Sequence, residues 1–499
     1  MNLEQRARFR QHERSEPRHG VGRGRTRSGS RSRRSLVLAA VVASMVGGIG
    51  ASVGIDMPAR ANATVDAGTA PAGTPDAKMT QADGLDVTSY DIDMDYRPDP
   101  RELTGDTTIS ARATDALDSV TFQLDSFTIR SVTVDSKAAS FSRTNDKELV
   151  VDLPERIERG ERFRIRIDYH GTPGPGWMPT TSGGGVATLG NNSSWFPVRE
   201  GVDDKADFNV TARVPEGWSV VSIGREVPTR QASGRNTFGW TEQDVYPTHV
   251  AVAVDRFTIE RSTLPDGTSI IDAYAPGLRK ANKPLGDALP EILDFLSGTF
   301  GPYPFRTGGN VFVHVSDNAP ATAPQSRPIY LGAGNERFMT LDAVVHEQAH
   351  QWFGVSVTHD RPEDLCLSEC LASYATWLWD EEKNDVDLDA RYRNQVDANS
   401  DDASWWTKLY RPGRQPTLNL YEKGPLAIHA LRRELGDEAF FDLTRRYPLR
   451  HHGEQVTWPE FEADVQKITG RDLDGFLEAW FRSGTIPDDQ YLWPGALRP

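Results

Sequence analysis

His346-Glu347-Gln348-Ala349-His350 places two imidazoles and a carboxylate within one short stretch, and Glu369 follows with eighteen residues between it and the second histidine. Four apart on a helix, His346 and His350 project from one face, one turn above the other, so both reach a single metal ion. A carboxylate from a second helix, Glu369, supplies the third ligand. The fourth tetrahedral position then stays open, as a hydrolytic zinc site requires. Glu347 points to the side of that open position, where a water would be activated. The cofactor this pattern predicts is one Zn2+ ion. Two buried helical histidines with no metal are the plain alternative, and Glu369 counts against it.

The ligands need a helix. Leu341, Val344, Val345, Ala349, Trp352 and Phe353 recur at helical spacing, and Gly354 follows as a stop signal, so the motif helix is expected to start near Thr340. Apolar stripes predict further helices over Lys283 to Thr299, Asp364 to Glu382, Pro425 to Leu435, Glu438 to Tyr447, Trp458 to Thr469 and Leu473 to Arg482. A short strand is expected at Asn310 to Val315. Upstream the period changes to two, as in Val87 to Tyr96, Val120 to Leu124, Phe127 to Val134, Leu149 to Leu153 and Phe163 to Tyr169. More such runs occur at Phe208 to Val214, Trp218 to Val221, Thr237 to Trp240 and His249 to Phe257, around a Gly-rich loop at Gly174 to Gly190. The fold class is α+β: an antiparallel, sandwich-like β domain at residues 84–263, then a mainly helical catalytic domain at 264–487 and a tail at 488–499. No internal repeat suggests a solenoid or propeller.

Charge is distributed unevenly. The first thirty-four residues hold eleven Arg and three Glu, while the 438 residues from Asn62 onward carry a net −23. An acidic body argues against nucleic acid and fits an exported protein kept monomeric by its own repulsion. The basic leader runs through Arg33-Arg34 into an uncharged stretch, Leu36 to Ile55, and then Ala59-Arg60-Ala61, a small-residue cleavage pattern. The arginine pair looks like a twin-arginine signal. Residues 1–61 thus read as leader and signal segment, 62–83 as an Ala, Thr, Gly and Pro linker, and the mature protein as secreted. The competing reading keeps residues 36–55 as an uncleaved membrane anchor, the one route to a membrane in this chain.

Only two cysteines occur, Cys366 and Cys370, so no disulfide framework stabilises the chain. They sit four apart on the helix expected to carry Glu369. Two small buried hydrophobes are the favoured reading, with a strained bridge or a redox-sensitive neighbour of the metal as alternatives.

The stretch His346 to Gly354 resembles the zinc helix of the M1 family of metallopeptidases, the aminopeptidase N and leukotriene A4 hydrolase group. Leu367-Ser368-Glu369-Cys370-Leu371-Ala372-Ser373-Tyr374 is similar to the family's segment holding the third ligand, and Tyr421-Glu422-Lys423-Gly424 to its Y-E-K-G. Trp195-Phe196-Pro197, with Lys205-Ala206 and Phe208, resembles the stretch that closes the family's β domain. The resemblance implies a thermolysin-like catalytic domain, with zinc on His346, His350 and Glu369, Glu347 as general base, and Tyr421 stabilising the oxyanion. It also implies a peptide or protein substrate. Gly424-Pro425 is expected to open the following helix, with Tyr421 held in the turn before it.

Departures from the family pattern concern substrate recognition. Aligning Gln325-Ser326-Arg327-Pro328 on a Gln-Thr-Arg-Pro variant puts Ala323 where the family's amine-binding Glu stands, and a methyl cannot pair with an ammonium. Glu336 and Asp317 are the acidic residues nearest in sequence. Cys366, Ser368 and Cys370 replace the family's Trp, Asn and Gly. The expected function is an exported, aminopeptidase-like zinc metallopeptidase. The alternative is a non-catalytic binding module that retains the metal, against which the intact Glu347 argues.

Overall fold

The computed structural model describes residues 84–498, apart from 126, 201–203, 229–233, 317–320, 333–338, 360 and 413–416. The leader, signal segment and linker lie outside the described residues, as do Asp317 and Glu336.

Period-two patterning from Leu85 buries Tyr90, Ile92, Met94 and Tyr96 on one face of a strand and turns Asp91, Asp93 and Asp95 to the other. That strand is central to an eight-stranded sheet, in the order Arg225–Val227, Arg235–Val245, Ala206–Pro215, Leu85–Arg97, Glu102–Ala113, Arg162–Gly171, Thr128–Val134 and Lys137–Ala138. Inner-face rings meet the covering layer, Tyr90 on Phe196 and Tyr96 on Trp177, with ring centroids 5.6 and 5.0 Å apart. Smaller sheets of three strands (Leu117–Gln123, Glu148–Ile157, Phe141–Arg143) and four strands (Ser219–Ser222, Val252–Asp255, Gly185–Ala187, Met178–Pro179) complete this half. The outer face carries ion pairs such as Arg166 with Asp106 and Arg213 with Asp93, exposed enough to add little stability.

Two features depart from the sequence reading. The sheet is not wholly antiparallel: Leu85–Arg97 and Ala206–Pro215 run parallel, pairing Tyr90 with Phe208 and Ile92 with Val210. The strand Glu102–Ala113 pairs between two predicted ones and is unmarked by its composition, because its inward set includes Gly105 and Thr107 beside Leu103 and Ile109. Gly105 is needed there, since a Cβ would lie 2.1 Å from the Tyr169 ring.

The second half is built on a four-stranded sheet, ordered Thr258–Thr263, Ser269–Tyr274, Thr307–His314 and Ile329–Gly332, the last three strands parallel. Seven of the eight residues of Thr307–His314 are buried, as expected for a parallel strand covered on both faces. Against this sheet lies the motif helix Leu341–Ala349, opened by Thr340, whose side chain accepts the Ala343 N–H. The helix Cys366–Asn384 brings in Glu369, and the helix Thr417–Leu435 brings in Tyr421. Leu388–Asn399 forms a helix that composition hides, because only Leu388, Tyr392 and Val396 of its twelve residues are buried. The architecture is therefore α+β, with β sheets first and helices after. Among the described residues no helix is long and apolar enough to cross a membrane.

Candidate metal centre

Helical spacing does for His346 and His350 what the sequence requires: both imidazoles leave one face, with Nε2 atoms 3.1 Å apart. Glu369, in the first turn of Cys366–Asn384, places Oε2 3.4 Å from His346 Nε2 and 3.6 Å from His350 Nε2. An ion held tetrahedrally at about 2.0–2.1 Å has ligand atoms about 3.3 Å from one another, so these separations fit one divalent cation. Glu369 Oε2 is also buried with no hydrogen-bond partner, which a cation would supply. Among the described residues this is the one group of three such side chains able to hold a metal.

Electrostatics point the same way. Burial opposes charge on His350, yet the Glu369 carboxylate, and then Glu347, raise its pKa to about 9, a measure of how strongly the site favours positive charge. Burial likewise pushes the Glu369 carboxyl up, but His350 and His346 outweigh it and hold it well below the usual range. The helix N-terminus at Glu369 acts in the same sense. Glu347 is buried, and burial raises its pKa against the opposing pull of His346 and His350, with Glu369 adding to the rise. It is a base of more than ordinary carboxylate strength.

Tyr421 stands beside His346, the two ring centroids 5.6 Å apart. The residue is 44 % exposed as a whole, while burial at its hydroxyl dominates the electrostatics there. Burial there, with the Glu369 and Glu347 carboxylates beside it, raises its pKa well above the usual phenol range, so it remains a neutral donor. Its setting corrects an expectation. The helix begins at Thr417, and Tyr421 and Pro425 both lie inside it. Pro425 has no N–H to return to the Tyr421 carbonyl, so the proline loosens the helix at the tyrosine rather than opening it.

Cys366 and Cys370 are both wholly buried, as the favoured reading expects, but they are joined in a disulfide across one turn, which corrects it. The turn is tight, with Ser368 N bonded to Leu365 O at 3.2 Å, and it brings the two Cα atoms to 4.8 Å, inside bridging range.

Several supporting residues were not read from the sequence. His350 Nδ1 lies 3.0 Å from the Phe353 carbonyl. Gln348 donates to the Gly309 carbonyl and Asn310 Oδ1, both at 3.0 Å, tying the motif helix to the strand behind it. Asn310 in turn donates to Asp272 at 2.7 Å and accepts from Tyr330 at 3.1 Å. Their one sequence signal is that Gln348 and Gln351 sit inside or next to the histidine motif. Ala323 is buried beside Pro324, whose carbonyl accepts from Gln351.

Residues 333–480 match the family model described as the peptidase family M1 domain. Over 451 residues the chain is 24% identical to an aminopeptidase N of Lactococcus lactis subsp. lactis, spanning 80% of this chain and 51% of that protein. Over 333 residues it is 25% identical to an aminopeptidase N of Streptomyces lividans, spanning 58% of this chain and 37% of the relative. The chain thus spans about half or less of the length of these relatives. Among solved structures, an M1 zinc metallopeptidase from Deinococcus radiodurans superposes with a TM-score of 0.69 at 25% identity, over 81% of this chain and 96% of the other. A two-domain M1 zinc metallopeptidase mutant bound to L-arginine gives 0.71 at 24% identity over the same shares. The chain therefore carries a peptidase family M1 domain, in a fold it shares with two-domain M1 zinc metallopeptidases along four fifths of its length.

Proposed function

We propose that this protein is an exported, zinc-dependent metallopeptidase of aminopeptidase-like descent that hydrolyses peptide bonds. One observation carries the reading: three ligand atoms converge at 3.1 to 3.6 Å with a buried, ionisable carboxylate on the next residue of the same helix. A purely structural zinc site has no use for such a base.

His346, His350 and Glu369 would hold the ion, which when bound polarises the scissile carbonyl and acidifies water. Glu347 takes the proton from the attacking water and delivers it to the departing amine, a task suited to a carboxyl whose pKa burial raises. Tyr421, kept neutral by its surroundings, donates its hydroxyl proton in a hydrogen bond to the oxygen that gains charge. Ala323, at the position matched to the family's amine-binding Glu, offers no carboxylate to a substrate's free amino end. The preference for a free N-terminus is accordingly weaker than the relatives' names suggest. Export is supported by the arginine-rich leader, Arg33-Arg34, the uncharged segment and Ala59-Arg60-Ala61.

The deciding experiment compares wild type with Glu347→Gln on N-terminally free and blocked peptides, with zinc measured alongside. Cleavage by wild type and none by zinc-loaded Glu347→Gln is expected. No cleavage of either peptide by zinc-loaded wild type overturns the peptidase reading, and equal cleavage of both removes the aminopeptidase one. N-terminal sequencing of the exported protein near Asn62 tests the leader, and intact chain found only in membranes refutes its removal.

A further inference from the structure

Gln351 follows the second histidine and stands one turn beyond Glu347. Its side chain is wholly buried, and both of its polar ends are used on one segment. Oε1 accepts the Ser326 N–H at 2.8 Å, and Nε2 donates to the Pro324 carbonyl at 3.1 Å. Between these, the Gln325 N–H donates to the His249 carbonyl at 3.1 Å, a residue of the β half. The segment is closed at its base, where Thr322 and Ile329 exchange backbone hydrogen bonds of 2.9 and 2.8 Å, and Thr307 Oγ1 donates to Ser326 Oγ at 2.9 Å. Ser326 has a φ of 73°, a conformation that persists only where the surroundings over-determine it. Through Thr322 and Ile329 the segment adds a rim to the edge of the sheet at Ile329–Gly332.

A carboxamide that bonds a carbonyl and an N–H two residues apart fixes a strand both along and across its axis. The metal ligands do not need that clamp. His350 is oriented by the Phe353 carbonyl, and the motif helix is tied to its sheet by Gln348. Gln351, two residues past the end of the motif helix, bonds that end of the helix directly to the segment that carries Ala323.

Resting on the peptidase reading, we propose that Gln351 is a positioning residue that registers the Thr322–Ser326 rim against Glu347 and so fixes where the substrate backbone is held. Removing the clamp lets the rim shift while the ligands stay. The loss then falls on binding and leaves the chemical step.

The test uses the full-length, zinc-loaded protein as wild type, Gln351→Met, which matches the length without the hydrogen bonds, and Gln351→Glu, which keeps the acceptor for Ser326. Zinc content, amide exchange across residues 322–329, and KM and kcat on an N-terminally free peptide are measured. Zinc should be unchanged, exchange at Ser326 should quicken in Gln351→Met and less so in Gln351→Glu, and KM should rise about ten-fold with kcat within about three-fold. Unaltered exchange, or lost zinc and kcat at constant KM, overturns the proposal. Should Gln351→Met fail to fold, Gln351→Glu carries the same readouts. If zinc-loaded wild type cleaves nothing, the peptidase reading falls by itself, and amide exchange still decides whether Gln351 clamps the rim.

Discussion

His350 Nδ1 lies 3.0 Å from the carbonyl oxygen of Phe353, and because a carbonyl only accepts, Nδ1 carries a proton, which leaves Nε2 as the nitrogen that can take a metal. A backbone carbonyl thus selects the tautomer a metal needs. The contact depends on the turn that follows. Gly354 has a φ of 128°, and a Cβ there would lie 3.1 Å from His350 Nδ1 and 3.2 Å from Ser368 Cβ. Gly354→Ala should cost about 1–3 kcal/mol of stability through backbone strain and weaken metal affinity by about ten-fold or more. Thermal melting and competitive zinc titration read the two effects separately. Unchanged zinc affinity would mean that the Phe353 carbonyl does not orient the ligand.

Glu347 and Tyr421 make opposite demands on pH. Catalysis needs the carboxylate ionised, and its pKa is raised by burial, so the acid limb of kcat/KM should lie above the ordinary glutamate value of about 4.3, with activity lost as pH falls through it. Tyr421 must keep its proton, and its raised pKa means that no alkaline limb near the ordinary tyrosine value of about 10 belongs to it. Tyr421→Phe should lower kcat by roughly ten- to a thousand-fold at every pH without moving either limb. A pH profile with zinc assayed at each point checks this, and an alkaline limb abolished by the substitution would contradict it.

What could be read in advance follows from where the partners lie along the chain. Trp458–Thr469 is legible because Thr457 and Glu460 form a capping box and Trp458, Phe461 and Val465 make a stripe, all within a few residues. The histidine pair is legible for the same reason. Glu102–Ala113 is not, since its inward positions hold Gly105 and Thr107, chosen by the Tyr169 ring far along the chain. Gln351 and Asn310 escape notice because their partners are backbone groups and side chains of distant segments, and nothing in a glutamine's type announces which carbonyl it will meet. The start of the Tyr421 helix was obscured by Pro425, a residue that usually opens helices and here sits within one.

The buried Asp272 gives the fold a pH dependence of its own. Burial raises its pKa to about 7, with the Asn310 hydrogen bond only partly opposing that rise. Because the folded value exceeds the unfolded one of about 3.9, the associated stability is complete below the unfolded pKa and is lost as pH rises through about 7. Asp272→Asn removes the charge and keeps an oxygen to accept from Asn310. Its melting temperature should be closer to wild type at pH 5 and exceed it by several degrees at pH 8, with metal saturating in both. A difference that does not grow with pH would place the titration elsewhere.

The disulfide binds two parts of the site together. Cys366–Cys370 closes the turn that presents Glu369, and Cys370 Sγ packs so near Gly424, three residues after Tyr421, that a Cβ on that glycine would come within 2.8 Å of the sulfur. The bridge therefore restrains a ligand directly and the tyrosine helix by contact. Replacing both cysteines by alanine keeps the buried surroundings apolar and removes only the bond and two sulfur atoms. By loop entropy so short a bridge contributes about 2 kcal/mol, which sets the expected loss of stability. Glu369 is then free to move within its turn, and zinc affinity should fall by up to about ten-fold while the fold persists. Treatment of wild type with a reductant under mild denaturant should reproduce both changes, since both cysteines are fully buried in the native state. If chelator competition and melting are the same with and without the bond, helix packing alone holds Glu369, and the two cysteines act only as small buried hydrophobes.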